Sequence, residues 1–465
     1  MPAMRNCLFA LLSLSLLSCN SDPSNVTTMT RSASASYPVK PVPVKPFDFQ
    51  PDMVLLVTGG TNGRLEPCNC TGVMPGGLTR RGGMLASYRA AFSNCLTLDT
   101  GDMFWIAPDP VRHSFLLRGS RMLGYDAVAL GDQEWITPPD QLKRLLEQTG
   151  GLSLSTTVRF RDGMVKPAEQ IIRKTPTAPV AVISYAPEDA FLFTPKQTLA
   201  GLDVLGEDAL ARQVEQLKSQ GNVVVVIVHG SEQAARQCAQ AVPGIDAIIR
   251  GHATASGESA ERVGNVPIMK IGGPETVGVF AMKCDGGKLT ASQWRVEVLD
   301  DRWPADLRMR ELYQAYAHTA MDQALSAARK GGLDYQSSET CGQCHSSQYN
   351  SWQRTAHARA YKTLTDARRA GDPDCLMCHT SGFGTERGFT TISQTPPLAN
   401  VNCQDCHRFN MSDHVDASRG RIATFQVPPA NEDLCRTCHT NSNSPLFEYS
   451  NYRAKIVSRD HGSRG

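Results

Sequence analysis

The sequence predicts an α/β domain, a helical connector and then a mainly helical, loop-rich domain. Three observations support this division of the 465 residues. Short runs of Val, Ile and Leu, separated by helical or polar stretches, recur between residues 51 and 300, as expected for the buried strands of an α/β protein. A helical pattern covers 301–334. From 335 to 465 the strand-like runs disappear, and eight of the 15 cysteines lie between Cys341 and Cys438.

The composition excludes several classes of protein. Hydrophobic residues make up 41% of the chain and charged residues 20%, which rules out a wholly disordered chain and a polytopic membrane protein. The 47 basic and 45 acidic residues leave a formal net charge of +2. This balance gives no electrostatic reason to expect a nucleic-acid partner.

The N-terminus has the features of an export signal. Arg5 precedes an apolar run of 11 residues, 7–17, which is too short to span a bilayer but suits a signal-peptide core. The sequence Leu16-Leu17-Ser18-Cys19 resembles a bacterial lipoprotein signal, which implies removal of residues 1–18 and diacylation of Cys19. We therefore expect an exported protein, facing the periplasm or in the outer membrane, anchored to the membrane by lipid. An ordinary signal peptide cleaved nearby is the alternative.

Residues 19–50 are predicted to form a tether. They are rich in Ser, Thr and Pro and contain a near-repeat of Pro, Val and Lys at 38–46. This composition favours a semi-extended chain over a packed core. The tether would hold the folded part away from a membrane surface.

Six apolar runs are predicted to form buried strands of the α/β domain, because they are short and rich in Val, Ile and Leu. Several are followed by Gly or Asp, which places polar residues at the carboxyl ends of strands, where α/β proteins build their sites. Apolar residues at helical spacing predict a helix over 305–330. The predicted strands are 53–58, 95–99, 127–130, 180–184, 223–228 and 247–249.

The C-terminal domain contains four copies of Cys-x-x-Cys-His. In this motif the two thiols form thioethers with one haem, and the histidine that follows is the proximal iron ligand. Zinc held by paired Cys-x-x-Cys is an alternative, but zinc does not require a histidine after every second cysteine. Disulfides are a third interpretation. The motifs are Cys341, Cys344 and His345; Cys375, Cys378 and His379; Cys403, Cys406 and His407; and Cys435, Cys438 and His439.

Four covalent haems would also supply a core to a segment that has few aliphatic residues. The 131 residues from Tyr335 onwards are too poor in apolar side chains to bury a large core of their own. Stacked haems would provide that core, and their closeness would let electrons pass from one to the next.

The surroundings of the motifs resemble the cytochrome c552/c554 family of multihaem proteins. The similarity covers roughly 338–461 and includes Tyr349, Trp352 and Thr355-Ala356-His357-Ala358. It implies that His357 and His414 are the sixth ligands of neighbouring haems, and less directly that His461 is another. His318 and Met411 are weaker candidates. Bis-histidine ligation favours low potentials, and methionine raises them.

The α/β domain resembles the calcineurin-like metallophosphatases, in their 5′-nucleotidase branch. The similarity covers about 53–298 and places five motifs in order, each after a predicted strand. It implies a metallophosphatase-like sandwich and, in the family, two metal ions. The motifs are Val57-Thr58-Gly59-Gly60-Thr61-Asn62-Gly63-Arg64-Leu65-Glu66, Leu98-Asp99-Thr100-Gly101-Asp102, Tyr125-Asp126-Ala127-Val128-Ala129-Leu130-Gly131-Asp132-Gln133-Glu134, Val228-His229-Gly230 and Gly251-His252-Ala253-Thr254.

The departures from the family pattern affect one of the two metal sites. Gly60 and Asn62 replace the family's Asp and His, Thr254 replaces a second His, and Gln133 replaces the catalytic His. Hydrolysis by two metals needs both ions, so we expect this activity to be lost. The other site keeps two carboxylates and two imidazoles, which can bind one divalent metal. A decayed fold without metal is the alternative. The four ligand positions are Asp102, Asp132, His229 and His252.

Two further cysteines, Cys68 and Cys70, follow Leu-Glu-Pro in the first motif. A Cys-x-Cys pair at this place is a candidate redox pair or metal ligand. A disulfide with Cys95 is the competing interpretation.

Taken together, the motifs predict an exported tetrahaem cytochrome c that transfers electrons and carries a metallophosphatase-like domain. Its partners would be periplasmic or membrane redox proteins. A metal-dependent phosphoesterase with an electron-transfer module is one alternative. The other is a multihaem oxidoreductase that acts on a small nitrogen or sulfur compound.

The four motifs predict four covalently bound haems. The intact mass of protein matured in a bacterial periplasm should exceed that of the processed polypeptide by four haem groups, and the excess should survive acid denaturation because thioethers are covalent. A mass equal to the bare chain, or to the chain plus zinc, would contradict the haem interpretation.

Overall fold

The computed structural model describes residues 39–67, 75–148, 150–164, 166–422, 425–440 and 443–457. Within these ranges, no helix is both long and apolar enough to cross a membrane. Four residues with predicted roles, Cys19, Cys68, Cys70 and His461, lie outside the described residues.

The α/β domain contains two six-stranded sheets and a small two-stranded one. In the first large sheet the order is β14-β13-β1-β2-β3-β4, and in the second it is β11-β12-β10-β9-β7-β6; β5 pairs with β8. The strands are β1 (Met53–Thr58), β2 (Cys95–Asp99), β3 (Ala127–Ala129), β4 (Ser153–Leu154), β5 (Val158–Phe160), β6 (Ile171–Arg173), β7 (Val180–Tyr185), β8 (Leu202–Val204), β9 (Val223–Val228), β10 (Ala247–Arg250), β11 (Glu261–Val263), β12 (Val266–Lys270), β13 (Thr276–Asp285) and β14 (Lys288–Val298).

The helices of the α/β domain are α1 (Gly77–Ala91), α2 (Pro110–Met122), α3 (Asp132–Trp135), α4 (Pro139–Glu147), α5 (Lys196–Leu199), α6 (Glu207–Ser219) and α7 (Glu232–Ala241). The later helices are α8 (Leu307–Ser326), α9 (Ser338–Gly342), α10 (Ser346–Gln353), α11 (Ala360–Asp366), α12 (Pro373–His379), α13 (Cys403–Cys406), α14 (Met411–Ser418), α15 (Glu432–Arg436) and α16 (Tyr449–Ile456). Short 3₁₀ turns occur at Glu188–Phe191, His357–Arg359 and Pro396–Leu398.

The predicted α/β sandwich is confirmed, and strands form in all six predicted runs. The central strands β1, β2, β3 and β4 are parallel in one sheet, as are β7, β9, β10 and β12 in the other. A core of side chains from both sheets, including Val57 and Ile227, is fully buried. Strand β9 is apolar and buried along its whole length, which is typical of a parallel strand covered on both faces.

The last part of the predicted tether lies against the α/β domain. Val39 is buried, and Val42, Val44, Phe47 and Phe49 pack on the core that contains helices α1 and α2. The Phe47 ring lies 3.9 Å from the Arg295 guanidinium carbon, a cation–π contact. The alternation of apolar and polar residues at 39–50 therefore fits an extended segment that packs its apolar side on the α/β domain.

Helix α8 is the predicted connector, and it packs on α1, α2 and α12. It thus contacts both the α/β domain and the C-terminal domain. The second contact includes Tyr313, whose hydroxyl donates to the Asp372 carboxylate just before α12.

The C-terminal domain is mainly helical, as predicted, and its apolar core is small. One cluster contains six buried residues, among them Leu376 and Phe389. Helices α9 to α16 are four to eight residues long and are joined by loops. Such short helices are marginal on their own, so this domain depends on contacts other than an aliphatic core.

Candidate haem cavity and metal site

The four Cys-x-x-Cys-His motifs come together in two pairs. The thiols of Cys341 and Cys403 are hydrogen-bonded to each other, which joins the first motif to the third. The thiols of Cys378 and Cys438 join the second to the fourth in the same way. The fold therefore gathers all four motifs, which are up to 98 residues apart in the sequence, into one region.

A cavity of about 2000 Å³ opens within this region. Pockets for one small molecule reach roughly 1,000 Å³, so this cavity has room for more than one large planar group. Its walls include His379, His407, His439 and His357. The α/β domain contributes the segment 62–67 to the same walls. The size of the cavity and its thiol and imidazole groups fit haem c.

Two motif histidines use Nδ1 for a hydrogen bond to the protein, which leaves Nε2 available to bind a metal. His379 Nδ1 donates to the Ala360 carbonyl at 2.8 Å, and His439 Nδ1 lies 2.9 Å from Ser444 Oγ. Such bonds to the other ring nitrogen orient metal-binding histidines. Burial lowers the pKa of His439, and burial together with the neighbouring His439 and His379 lowers the pKa of His357. Both shifts favour the neutral imidazole that binds metal.

The two histidines expected as sixth ligands each face a motif histidine. The rings of His357 and His439 have centroids 6.2 Å apart, and those of His414 and His345 are 6.0 Å apart. Two imidazoles that bind one metal from opposite sides, with bonds of about 2 Å, have centroids about 6 Å apart. The spacing of both pairs matches that value. His414 is further enclosed by the rings of Phe409 and Phe425.

The weaker candidates lie in two helices, α8 and α14. The His318 side chain is 80% exposed and pairs with Asp322 on its own helix, α8. Met411 is the first residue of α14. The third sequence candidate, His461, is outside the described residues.

The α/β domain brings Asp102, Asp132, His229 and His252 together, with ligand atoms all within 4.8 Å of one another. His229 Nε2 lies 3.0 Å from Asp132 Oδ1 and 3.4 Å from Asp102 Oδ1. His252 Nδ1 lies 3.0 Å from Asp102 Oδ2 and 3.3 Å from Asp132 Oδ1. These residues follow β2, β3, β9 and β10, whose carboxyl ends share one edge of the sandwich.

The surroundings of the four side chains fit one cation. His229 Nδ1 is 2.9 Å from the Thr100 carbonyl, which directs Nε2 into the site. Asp102 Oδ1 is buried and has no hydrogen-bond partner among the described residues. Burial alone would raise the pKa of Asp102, but His229 and His252 outweigh burial and hold that pKa far below its usual range. Carboxylate oxygens and imidazole nitrogens of this kind are ligands for Zn²⁺, Mn²⁺ or Fe²⁺.

The backbone at the site is strained. Asp102, His252 and Asn62 have φ of 57°, 49° and 48°, a region that residues other than glycine seldom occupy. Such conformations persist where the surrounding structure enforces them, and they cluster at functional sites. The buried Glu134 carboxylate helps to enforce the turn at Asp102, because it accepts from the amides of Asp102, Phe104 and Gly131. Burial raises the pKa of Glu134 to about 8.

At the positions where the metallophosphatases have a ligand of their other metal and the catalytic histidine, this chain has two side-chain amides. Gln133 Nε2 donates to Asn62 Oδ1 at 2.9 Å, and Asn62 Nδ2 donates to the Gly60 carbonyl at 2.8 Å. Gly60 has φ +63°, and a Cβ there would lie 3.1 Å from the Gly273 amide nitrogen. Asn62 and Gln133, which depart from the family pattern, thus bond to each other, and the buried Gln133 Oε1 is left without a hydrogen-bond partner among the described residues.

Sequence reasoning missed the residues that join the two domains. Arg112 of α2 binds the Asp374 carboxylate of α12, with Nη2 2.9 Å from both oxygens. Arg369 donates to the Pro67 carbonyl at 2.6 Å. The partners are 262 and 302 residues apart, so no local pattern could have paired them.

Comparison with known proteins supports both predicted resemblances. The fold of the first domain is that of the calcineurin-like metallophosphatases: a 5′-nucleotidase precursor from Thermus thermophilus superposes with a TM-score of 0.52 at 19% identity, over 75% of this chain and 73% of that one. Snake venom 5′-nucleotidase from Gloydius brevicauda is 27% identical over 244 residues, which are 47% of this chain and 40% of that protein.

The C-terminal domain resembles cytochrome c554. Residues 340–408 match the family described as cytochrome c554 and c-prime. Cytochrome c-554 of Nitrosomonas europaea is 29% identical over 136 residues, which are 23% of this chain and 58% of that protein. The chain spans about half the length of the curated relatives that it matches.

We predict one divalent ion per chain in the α/β domain, because four ligand atoms converge at one point and the amide pair fills the neighbouring place. After dialysis against Mn²⁺, elemental analysis should find one manganese per four haem irons. The His229→Ala/His252→Ala variant should lose it, whereas His318→Ala, a change of an exposed histidine, should not. Two manganese ions per chain, or none, would contradict this prediction.

Proposed function

We propose that the protein is an exported tetrahaem c-type cytochrome that transfers electrons, and that its metallophosphatase-like domain no longer hydrolyses phosphate esters. The observation that carries the first part is the pairing of His357 with His439 and of His414 with His345 at the spacing of two axial ligands. The chain has four attachment motifs, and the first and the fourth supply one histidine each to these pairs.

The haems would be held by the eight motif cysteines and the four motif histidines. Haem supplies a one-electron carrier whose potential depends on its axial ligands and surroundings. The protein's own part is to fix the imidazoles: Ala360 and Ser444 orient His379 and His439, and Phe409 and Phe425 enclose His414. Two imidazoles on one iron favour a low potential, which suits electron transfer between redox partners.

Loss of hydrolysis is supported by the amide pair. Hydrolysis by two metals requires one ion for the attacking oxygen and one for the leaving oxygen. Asn62 and Gln133 bond to each other where the family has a metal ligand and a catalytic histidine. An amide cannot donate a proton as an acid at neutral pH, so the acid is missing, and the second ion has lost the Asp and His ligands that Gly60 and Asn62 replace.

The sequence and the cytochrome resemblance support our proposals on export and on redox partners. We propose that Cys19 carries the lipid anchor and that the haem domain exchanges electrons with periplasmic or membrane redox proteins. Attachment of haem to Cys-x-x-Cys-His motifs outside the cytoplasm agrees with the signal sequence.

The axial assignment is tested by His357→Ala and His414→Ala. Each variant should convert one haem from low spin to high spin, because one iron loses its sixth ligand. Electronic absorption and EPR spectra of the ferric protein measure the change. His318→Ala is the matched control and should keep the wild-type spectrum; unchanged spectra in both test variants would refute the axial assignment.

Absence of hydrolysis is tested with the full haem-loaded chain. With Mn²⁺ or Zn²⁺ added, hydrolysis of AMP and of bis(p-nitrophenyl) phosphate should not exceed that of buffer with metal. A metal-dependent activity that Asp102→Ala abolishes would instead make the domain a working phosphoesterase.

A further inference from the structure

Segment 62–67 begins at the four-ligand metal site. The Asn62 amide donates to the Asp102 carbonyl at 2.8 Å, and the Gly63 amide donates to the Met103 carbonyl at 3.0 Å. Asp102 provides one of the four ligand atoms. The backbone that carries a metal ligand is therefore bonded directly to this segment.

The same segment ends beside the second Cys-x-x-Cys-His motif. Arg369 Nη1 donates to the Pro67 carbonyl at 2.6 Å, and Arg369 Nη2 donates to the Asp372 carboxylate at 2.8 Å. Asp372 also caps α12: its carboxylate accepts from the Asp374 amide at 3.0 Å, and its carbonyl accepts from the Cys375 amide at 3.0 Å. These bonds do not use the Cys375 thiol, so they would still join Pro67 to the second motif when haem is attached there.

The middle of the segment packs closely against Trp105 and α2. At Gly63, with φ +77°, a Cβ would lie 2.7 Å from Trp105 Cβ and 3.1 Å from Arg112 Cδ. Arg112 also binds the Asp374 carboxylate, next to Cys375 in α12. Two chains of contacts therefore join segment 62–67 to α12, one through Arg369 and one through Arg112.

We propose that the four-ligand site is an effector site, where a divalent cation adjusts the second haem through segment 62–67. Arg369 is the positioning residue of this coupling. The proposal rests on the proposed function, since it needs a haem at the second motif. It gives the α/β domain a role that requires neither a second metal nor hydrolysis.

The effect depends on the position of Arg369. Metal binding at Asp102 bears on segment 62–67 and through it on the Arg369 guanidinium, which is bonded to Asp372 beside the second motif. The midpoint potential of the second haem should therefore change when the metal binds. By linkage, the redox state of that haem must change metal affinity by the same factor.

The test uses the full haem-loaded chain in a redox titration, with Mn²⁺ and with EDTA. One of the four haem transitions should move when Mn²⁺ is bound. The affinities of the reduced and the oxidised protein for Mn²⁺ should differ about 5-fold or more, at the lower end of known couplings. The His229→Ala/His252→Ala variant should lose both effects while it keeps four haems.

Two substitutions of Arg369 separate charge from positioning. Arg369→Gln should lower the transition that responds to Mn²⁺, because it removes a cation beside Cys375. Arg369→Lys keeps the charge but not the paired hydrogen bonds, so the potential without metal should stay close to wild type while the affinity ratio falls towards one. Lys362→Gln is the control, because Lys362 is an exposed cation of the haem domain paired with Asp366; both quantities should stay unchanged.

Several outcomes would overturn the proposal. These are absence of Mn²⁺ binding, binding that shifts no transition, an equal shift of all four transitions, or a shift that survives in the His229→Ala/His252→Ala variant. If Arg369→Gln moved a different transition from the one that responds to Mn²⁺, segment 62–67 would not be the link. A protein that lacks four haems would refute the proposed function instead, so the two failures are distinguishable.

Discussion

The common edge at which the parallel strands end is the constraint on which the rest of the molecule depends. Strands β1, β2, β3, β9 and β10 are buried and apolar, so their polar groups are confined to their ends. Asn62, Asp102, Asp132, His229 and His252 all follow these ends. The side chains meet because the strands are parallel and in register, and the positive φ angles at three of these positions bend the chain back at once. The C-terminal domain then builds its cavity against a segment that starts at this same edge.

The sequence predicted those parts of the molecule that local patterns control. Strands 53–58, 95–99 and 223–228 were predicted to the residue, because each is a short, mainly apolar run flanked by residues typical of turns. The ligand positions Asp102 and His229 came from resemblance to the metallophosphatase family; local pattern indicated only that polar residues follow the strand ends. His357 and His414 came from resemblance to a family and not from spacing, because nothing local says which motif a distant histidine faces.

Other features depend on pairs that are far apart in the chain. Gln133 and Asn62 are 71 residues apart. From the sequence, Asn62 indicated only the loss of a metal ligand, and Gln133 only the loss of the catalytic histidine. Their hydrogen bond forms only when β1, which precedes Asn62, and β3, which precedes Gln133, lie in the same sheet. The 39–50 segment was predicted as tether because Pro-rich chains lack periodic structure, but its alternate Val and Phe side chains pack on the α/β domain. Composition indicates whether a segment can form its own core, not whether it can lie on another.

The contact between Arg369, Asp372 and Cys375 has a consequence for the order of assembly. The Cys375 thiol is bonded to Asp372, which Arg369 holds against the segment that leaves β1. If haem attaches at this motif as proposed, the thiol becomes a thioether and can no longer donate to Asp372. Cys375 lines the cavity when the two domains are docked, and Asp372 keeps Arg369 and the Tyr313 hydroxyl as partners. The bonds that join the domains therefore do not depend on the state of this thiol, so the junction can form before or after haem attachment.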